Sequence, residues 1–194
     1  MAPGSCELEA YGNIGPAAAW RGVVSPTCAF KALGDFEVGI IAAAEGPANG
    51  IIPGISFKTG VGQRGIASLA AEISLGFDPE GNQLGYISTN LPVSFAPASW
   101  LEVHINGGLD FEVSNLFIPT YGVSALIRPL PDFQLVAELA GRGGFGSRSQ
   151  FGIRYTAGAV ILDALYSRNI DETRRGGWAT FGLTWAFGIG GRSN

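Results

Sequence analysis

Leu101-Glu102-Val103-His104-Ile105-Asn106 decides how this chain folds. Apolar and polar residues alternate without a break, and the pattern resumes at Leu109-Asp110-Phe111-Glu112. Leu101, Val103, Ile105, Leu109 and Phe111 take one side; Glu102, His104, Asn106, Asp110 and Glu112 take the other. Successive side chains of a β-strand point to opposite faces, so a strand separates these two sets. A helix would scatter them round its circumference. The segment reads as a strand with two chemically different faces.

The same rule works outward along the chain. Phe133, Leu135, Ala137 and Leu139 alternate with Gln134, Val136, Glu138 and Ala140, and Phe151, Ile153, Tyr155 and Ala157 with Gln150, Gly152, Arg154 and Thr156. Ile55, Phe57, Thr59 and Val61 are interleaved with Gly54, Ser56, Lys58 and Gly60. Turn signals between these runs predict twelve strands, near 5–12, 26–33, 35–44, 51–61, 66–76, 84–95, 100–112, 117–128, 132–141, 149–158, 160–168 and 177–187. Tight connections at Gly34, Gly62–Gly65, Ala96–Ser99, Pro129–Pro131 and Gly158–Ala159 take turns with longer or more polar ones at Asn13–Ser25, Glu45–Gly50, Phe77–Gln83, Gly141–Arg148 and Asn169–Gly176.

Composition says what surrounds such a sheet. Hydrophobic residues make up 46% of the 194 and charged residues 14%, where a soluble chain carries about 25% charge. No apolar run is long enough for a membrane helix, and a closed β-barrel is the other structure that satisfies every backbone group in a bilayer. The expected fold is therefore all-β: an antiparallel up-and-down transmembrane β-barrel of about twelve strands, in one domain over 1–194, with the barrel at 5–187 and a short tail at 188–194. Both termini and the tight turns then lie on the periplasmic side. A soluble barrel or sandwich would invert the faces, and the exposure of Phe57, Leu69, Val103, Ile153 and Leu183 separates the two.

With the apolar sets outward, thirteen charged residues face inward: Glu7, Glu9, Lys31, Glu37, Lys58, Glu72, Glu102, Asp110, Glu112, Arg128, Glu138, Arg154 and Asp163. The remaining charged residues fall in turns, loops, strand ends or the tail. A charge at the bilayer midplane would cost ~2–4 kcal/mol, which accounts for the avoidance. His104 joins the inner set as a polar lining residue, and the excess of acids over bases favours cations or neutral solutes in a water-filled bore. A closed network of ion pairs would instead plug a structural barrel. The outward aromatics Trp100, Tyr121, Phe133, Tyr166, Trp178 and Phe187 lie near strand ends, where interfacial girdles or plain strand propensity both place aromatics.

Gly177-Trp178-Ala179-Thr180-Phe181-Gly182-Leu183-Thr184-Trp185-Ala186-Phe187 resembles the closing strand of Gram-negative outer-membrane proteins. That resemblance implies an outer-membrane location and a signal, carried by Trp178, Phe181, Leu183, Trp185 and Phe187, for the barrel-assembly machinery. Here Gly188–Asn194 follow the Phe, a departure from the pattern. The texture of the whole chain is also similar to small transporter barrels of the phenol-degradation pathway type. Export is expected from a signal removed or lying upstream, since Met1–Ser5 has no basic start and no apolar core.

Other chemistries fit the sequence less well. A net charge of −4 argues against nucleic acid as a partner. Gly60-Val61-Gly62-Gln63-Arg64-Gly65 has dinucleotide-loop spacing, but Ala67, Leu69, Ala71, Ile73 and Leu75 alternate as a strand where a helix is needed. One histidine supports no multi-His metal site, and no cofactor is expected. An outer-membrane phospholipase also has about twelve strands, with a Ser–His pair and a supporting Asn; His104 and Asn106 lack its serine-bearing context. Cys6 and Cys28 read either as unrelated small apolar residues or as a disulfide between neighbouring strands. The function expected is a passive narrow channel or transporter for small solutes, or a structural barrel, with no catalytic residue.

Overall fold

The computed structural model describes residues 4–16, 19–30, 36–46, 51–78, 83–112, 117–170 and 176–188. Its twelve strands are β1 (Ser5–Ile14), β2 (Trp20–Phe30), β3 (Phe36–Glu45), β4 (Ile51–Arg64), β5 (Ala67–Asp78), β6 (Gln83–Ala98), β7 (Leu101–Glu112), β8 (Phe117–Leu130), β9 (Phe133–Arg142), β10 (Gly146–Ala157), β11 (Val160–Asn169) and β12 (Gly177–Gly188). Each is antiparallel to its neighbours, and β12 closes on β1 with Cys6 opposite Phe187 and Glu9 opposite Thr184. Closure leaves no row of unpaired backbone groups.

Two-residue connections at Gly65–Ile66, Ser99–Trp100, Pro131–Asp132 and Gly158–Ala159 lie at the end that holds Ser5 and Gly188. Gly65 and Gly158 take φ of 59° and 61°, the left-handed values that short hairpin turns require. The strand bounds leave three to seven residues between hairpins at the opposite end. We call these the terminal end and the loop end.

Most predicted strands match within a few residues, and β2 is the chief correction. It begins at Trp20, so the expected connection at 13–25 shrinks to 15–19. Its inner positions include apolar Val23 and Ala29, while Gly22, Pro26 and Cys28 stand outward. A strand with small or apolar residues on both faces shows little alternation. The expected tight turn at Gly34 and the tail beyond Gly188 lie outside the described residues.

The register fixes which way each residue points. The set containing Leu69, Val103, Ile153 and Leu183 faces away from the axis, and the set containing Glu72, Glu102, Arg154 and Asp163 faces the bore. Leu69, Ile153 and Leu183 are 37%, 45% and 41% exposed on the outside, with Phe57 and Val103 half-buried. Inward-facing Ile118 and Leu126, by contrast, are 3% and 8% exposed. Among the described residues no large side chain is completely buried, so there is no dry core. The apolar belt must meet lipid, because water would leave it unsolvated on every strand. This is a transmembrane barrel.

Aromatic pairs reinforce the belt. Phe133 lies opposite Tyr155 with ring centroids 5.1 Å apart, and Phe151 opposite Tyr166 at 5.5 Å, cross-strand contacts worth several tenths of a kcal/mol each, roughly. Trp178 departs from the expected outward set. It pairs with Ser167 on the inner face, and its ring leaves no room for a side chain at Gly15. Alternation from Phe181 backwards assigns it inward; its bulk obscured that parity.

Cys6 and Cys28 are directly opposite in the β1–β2 ladder and form a disulfide, with Cα atoms 4.0 Å apart. Cys6 shares its face with Leu8 and Ala10, so the bridge stands on the lipid side near the terminal end, beside Phe187.

Candidate functional site: the polar bore

Period-two geometry aims the inner residues of all twelve strands at one axis. On the β7–β11 side, carboxylates and guanidiniums are matched. Arg154 donates from Nε to Asp163 Oδ1 at 2.8 Å and from Nη2 to Oδ2 at 3.0 Å. Arg128 Nη2 meets Glu102 Oε2 at 2.9 Å. Arg142 Nη2 bridges Asp110 at 2.9 Å and Glu112 at 2.8 Å, and Ser88 donates to Asp110 at 2.7 Å. Arg148 lies 4.0 Å from Glu138. Paired charges on a wet wall fix the lining geometry and nearly cancel as a field.

The β1–β5 side is not balanced in this way. Lys58 stands between Glu37, 4.0 Å away, and Glu72, its opposite number on β5. Glu7 and Glu9 share the same wall, and all five residues line one cavity of about 250 Å³. A second cavity, about 340 Å³, opens against β5–β9, and Glu72 borders both. Open space therefore adjoins both sides of Glu72.

The expected lining residues Glu37, Lys58, Glu72, Glu102, His104, Asp110, Glu138, Arg154 and Asp163 all face the bore by register, and Arg128 reaches it through its ion pair with Glu102. Glu7, Glu9 and Glu112 do so too. Lys31 lies outside the described residues. Arg21, Arg142 and Arg148 also point inward, although the sequence reading left them at loops or strand ends. The signal was present as parity: Arg142 and Arg148 continue the inner phases of Glu138-Ala140 and Gln150-Gly152. Their inclusion makes the bore less acidic than the sequence suggested.

His104 meets a serine after all. Its Nδ1 lies 2.8 Å from Ser94 Oγ, and its Nε2 lies 3.5 Å from Glu102 Oε1. No hydrogen bond joins it to Asn106, and the group faces the bore rather than lipid. Ser94, His104 and Ser124 are successive rungs of the β6–β7–β8 ladder. Among the described residues no group of His, Cys, Asp and Glu could hold a metal ion.

Solved structures of the same shape include two porins and a bacterial outer membrane protein. KdgM porin superposes with a TM-score of 0.78 at 10% identity, over 93% of this chain and 99% of that one. The NanC porin gives 0.69 at 9% identity, over 92% and 98%. Omp33, an outer membrane protein of Acinetobacter baumannii, gives 0.64 at 9% identity, over 94% and 97%. These likenesses show the fold alone, and the narrower likeness to phenol-degradation barrels is not confirmed. No curated protein matches the sequence. A family profile matches residues 2–187, nearly the whole barrel. The chain thus carries the outer-membrane porin fold and belongs to the family described as "Uncharacterised conserved protein UCP029691".

Proposed function

We propose that this protein is a passive, narrow channel of the bacterial outer membrane, admitting small polar solutes and preferring cations and uncharged molecules to anions. The observation that carries the reading is the inversion of faces: an apolar belt outside and an ionised lining within, with cavities of about 250 and 340 Å³ beside it. In this reading the terminal end faces the periplasm and the bore residues set selectivity. The acid excess of that field comes from Glu7, Glu9 and Glu72, only partly offset by Lys58 and Arg154, while Glu102, Asp110, Arg128, Glu138, Arg154 and Asp163 lie in ion pairs. His104 is a lining residue. In this reading its contacts with Ser94 and Glu102 are part of the lining, and no catalytic role is assigned to any residue.

One of the similar structures is described as KdgM porin in complex with disordered oligogalacturonate. An acid-rich wall suits such a polyanion poorly here, since like charges repel in a confined space. The outward Phe181, Leu183, Trp185 and Phe187 present a continuous aromatic and aliphatic stripe, which we infer is read by the barrel-assembly machinery.

Planar-bilayer recording under a salt gradient tests the channel. The reversal potential should show a cation preference that falls toward none in Glu7→Gln/Glu9→Gln/Glu72→Gln. A folded barrel that passes no current, or one that prefers anions, contradicts the proposal.

A further inference from the structure

The cavity against β5–β9 has a lining unlike the rest of the bore. Asn90, Gly108 and Thr120 are successive rungs of one row across β6, β7 and β8, and Asn106 and Gly122 belong to the next row toward the terminal end. Gly122, which lines the cavity, carries no side chain, so the wall is recessed there, whereas at Gly108 the Thr89 backbone closes the space. At Gly122 an added Cβ would find only ordinary contacts, 3.7 Å from Ala140, Asn106 and Leu139, so a small side chain would fit there without displacing its neighbours. Ser74, Asn90, Asn106 and Thr120 line the recess. None of these four side chains hydrogen-bonds to a described residue, although neighbouring Ser88 and Asp110 are engaged with one another. Their amides and hydroxyls offer donors and acceptors side by side.

We propose that this recess is a subsite for an uncharged polyhydroxylated solute of simple-sugar size. The inference rests on the channel reading and names the class of molecule passed. A volume of about 340 Å³ is at the small end of ligand pockets, which run from about 300 to 1,000 Å³. Each hydroxyl of a polyol both donates and accepts, matching the mixed set on the wall. Glu72, Asp110 and Glu138 border the recess. They accept from hydroxyls, and they repel a carboxylate on the solute. Because charged side chains are not the main lining, recognition depends on shape and hydrogen bonds rather than on net charge.

Glucose and glucuronate differ only at one carbon and are suitable probes. Glucose should reduce the open-channel current in a saturable way, and glucuronate at equal concentration should not. Asn90→Ala/Asn106→Ala should raise the half-blocking glucose concentration at least fivefold, as should Gly122→Leu, which fills the recess. Val123→Ala, a lipid-facing change, serves as the control. Equal block by glucuronate, or unchanged block in both recess variants, overturns the subsite while leaving the channel standing. A folded barrel that conducts nothing overturns the channel reading. Saturation-transfer NMR with glucose on the detergent-folded barrel then decides the recess: a signal lost in Gly122→Leu supports it, and no signal in the unsubstituted protein overturns it.

Discussion

Arg154 grips Asp163 with the Nε–Nη2 edge of its guanidinium, at 2.8 and 3.0 Å, on the inner face of the β10–β11 ladder. One residue further along each strand, Tyr155 and Leu162 pair on the outer face, where Leu162 is 45% exposed. These adjacent rungs contain the physical logic of the molecule: charge is gathered where water is, and carbon is presented where lipid is.

Arg154→Met should leave the Asp163 carboxylate without its charged donors in a partly wet site. We expect a loss of about 1–2 kcal/mol in folding into lipid vesicles, measured by urea titration. Arg154→Met/Asp163→Leu should recover part of that loss. A single variant as stable as the parent would mean that water replaces the arginine fully.

Parity gives a sharper contrast. Ile153→Arg places a cation on the lipid face and should destabilise by about 2–4 kcal/mol. Gln150→Arg, inward and opposite Glu138, should cost much less. Equal penalties would show that the two faces do not meet different solvents.

The Cys6–Cys28 bridge closes a loop of 22 residues, and loop-closure entropy assigns it about 3 kcal/mol. Cys6→Ser/Cys28→Ser should lower the urea midpoint accordingly. Because the bridge stands on the lipid face, a water-soluble reductant should open it in unfolded protein and spare it in vesicles, read by thiol alkylation and gel shift. Rapid reduction in intact vesicles would put the bridge in water.

Removing the outward stripe should impair assembly. Trp185→Ser/Phe187→Ser should at least halve the amount of heat-modifiable barrel recovered from the outer membrane, and inward Trp178→Ala should have a smaller effect. The reverse ranking would detach the assembly signal from these aromatics.

The barrel was legible because lipid and a watery bore demand opposite residues at every second position, as Leu101–Asn106 records. It was least legible where that demand relaxes. In β2 the bore tolerates Val23 and Ala29, and the lipid face tolerates Gly22, Pro26 and Cys28, so the strand start at Trp20 was hidden. At the loop end, Arg142 and Arg148 flank a three-residue connection around Gly144, and polarity near a turn resembles a loop. The ion-pair partners depend on register between strands, which no single strand encodes. Both cysteines were visible, yet their union needed β1 and β2 aligned with Cys6 opposite Cys28. The recess at Gly122 escaped for the same reason, because Asn90, Asn106, Thr120 and Gly122 line one hollow only when β6, β7 and β8 are placed side by side.

Cysteine scanning along β7, in a Cys6→Ser/Cys28→Ser background inserted into lipid vesicles, tests the inversion most directly. Single cysteines at 102, 104 and 106 should react with a membrane-impermeant thiol reagent, whereas those at 101, 103 and 105 should resist it and be quenched by a lipid-borne probe when labelled. Labelling of the odd positions from water, with the even ones protected, would contradict the lipid-facing belt and the ionised bore together.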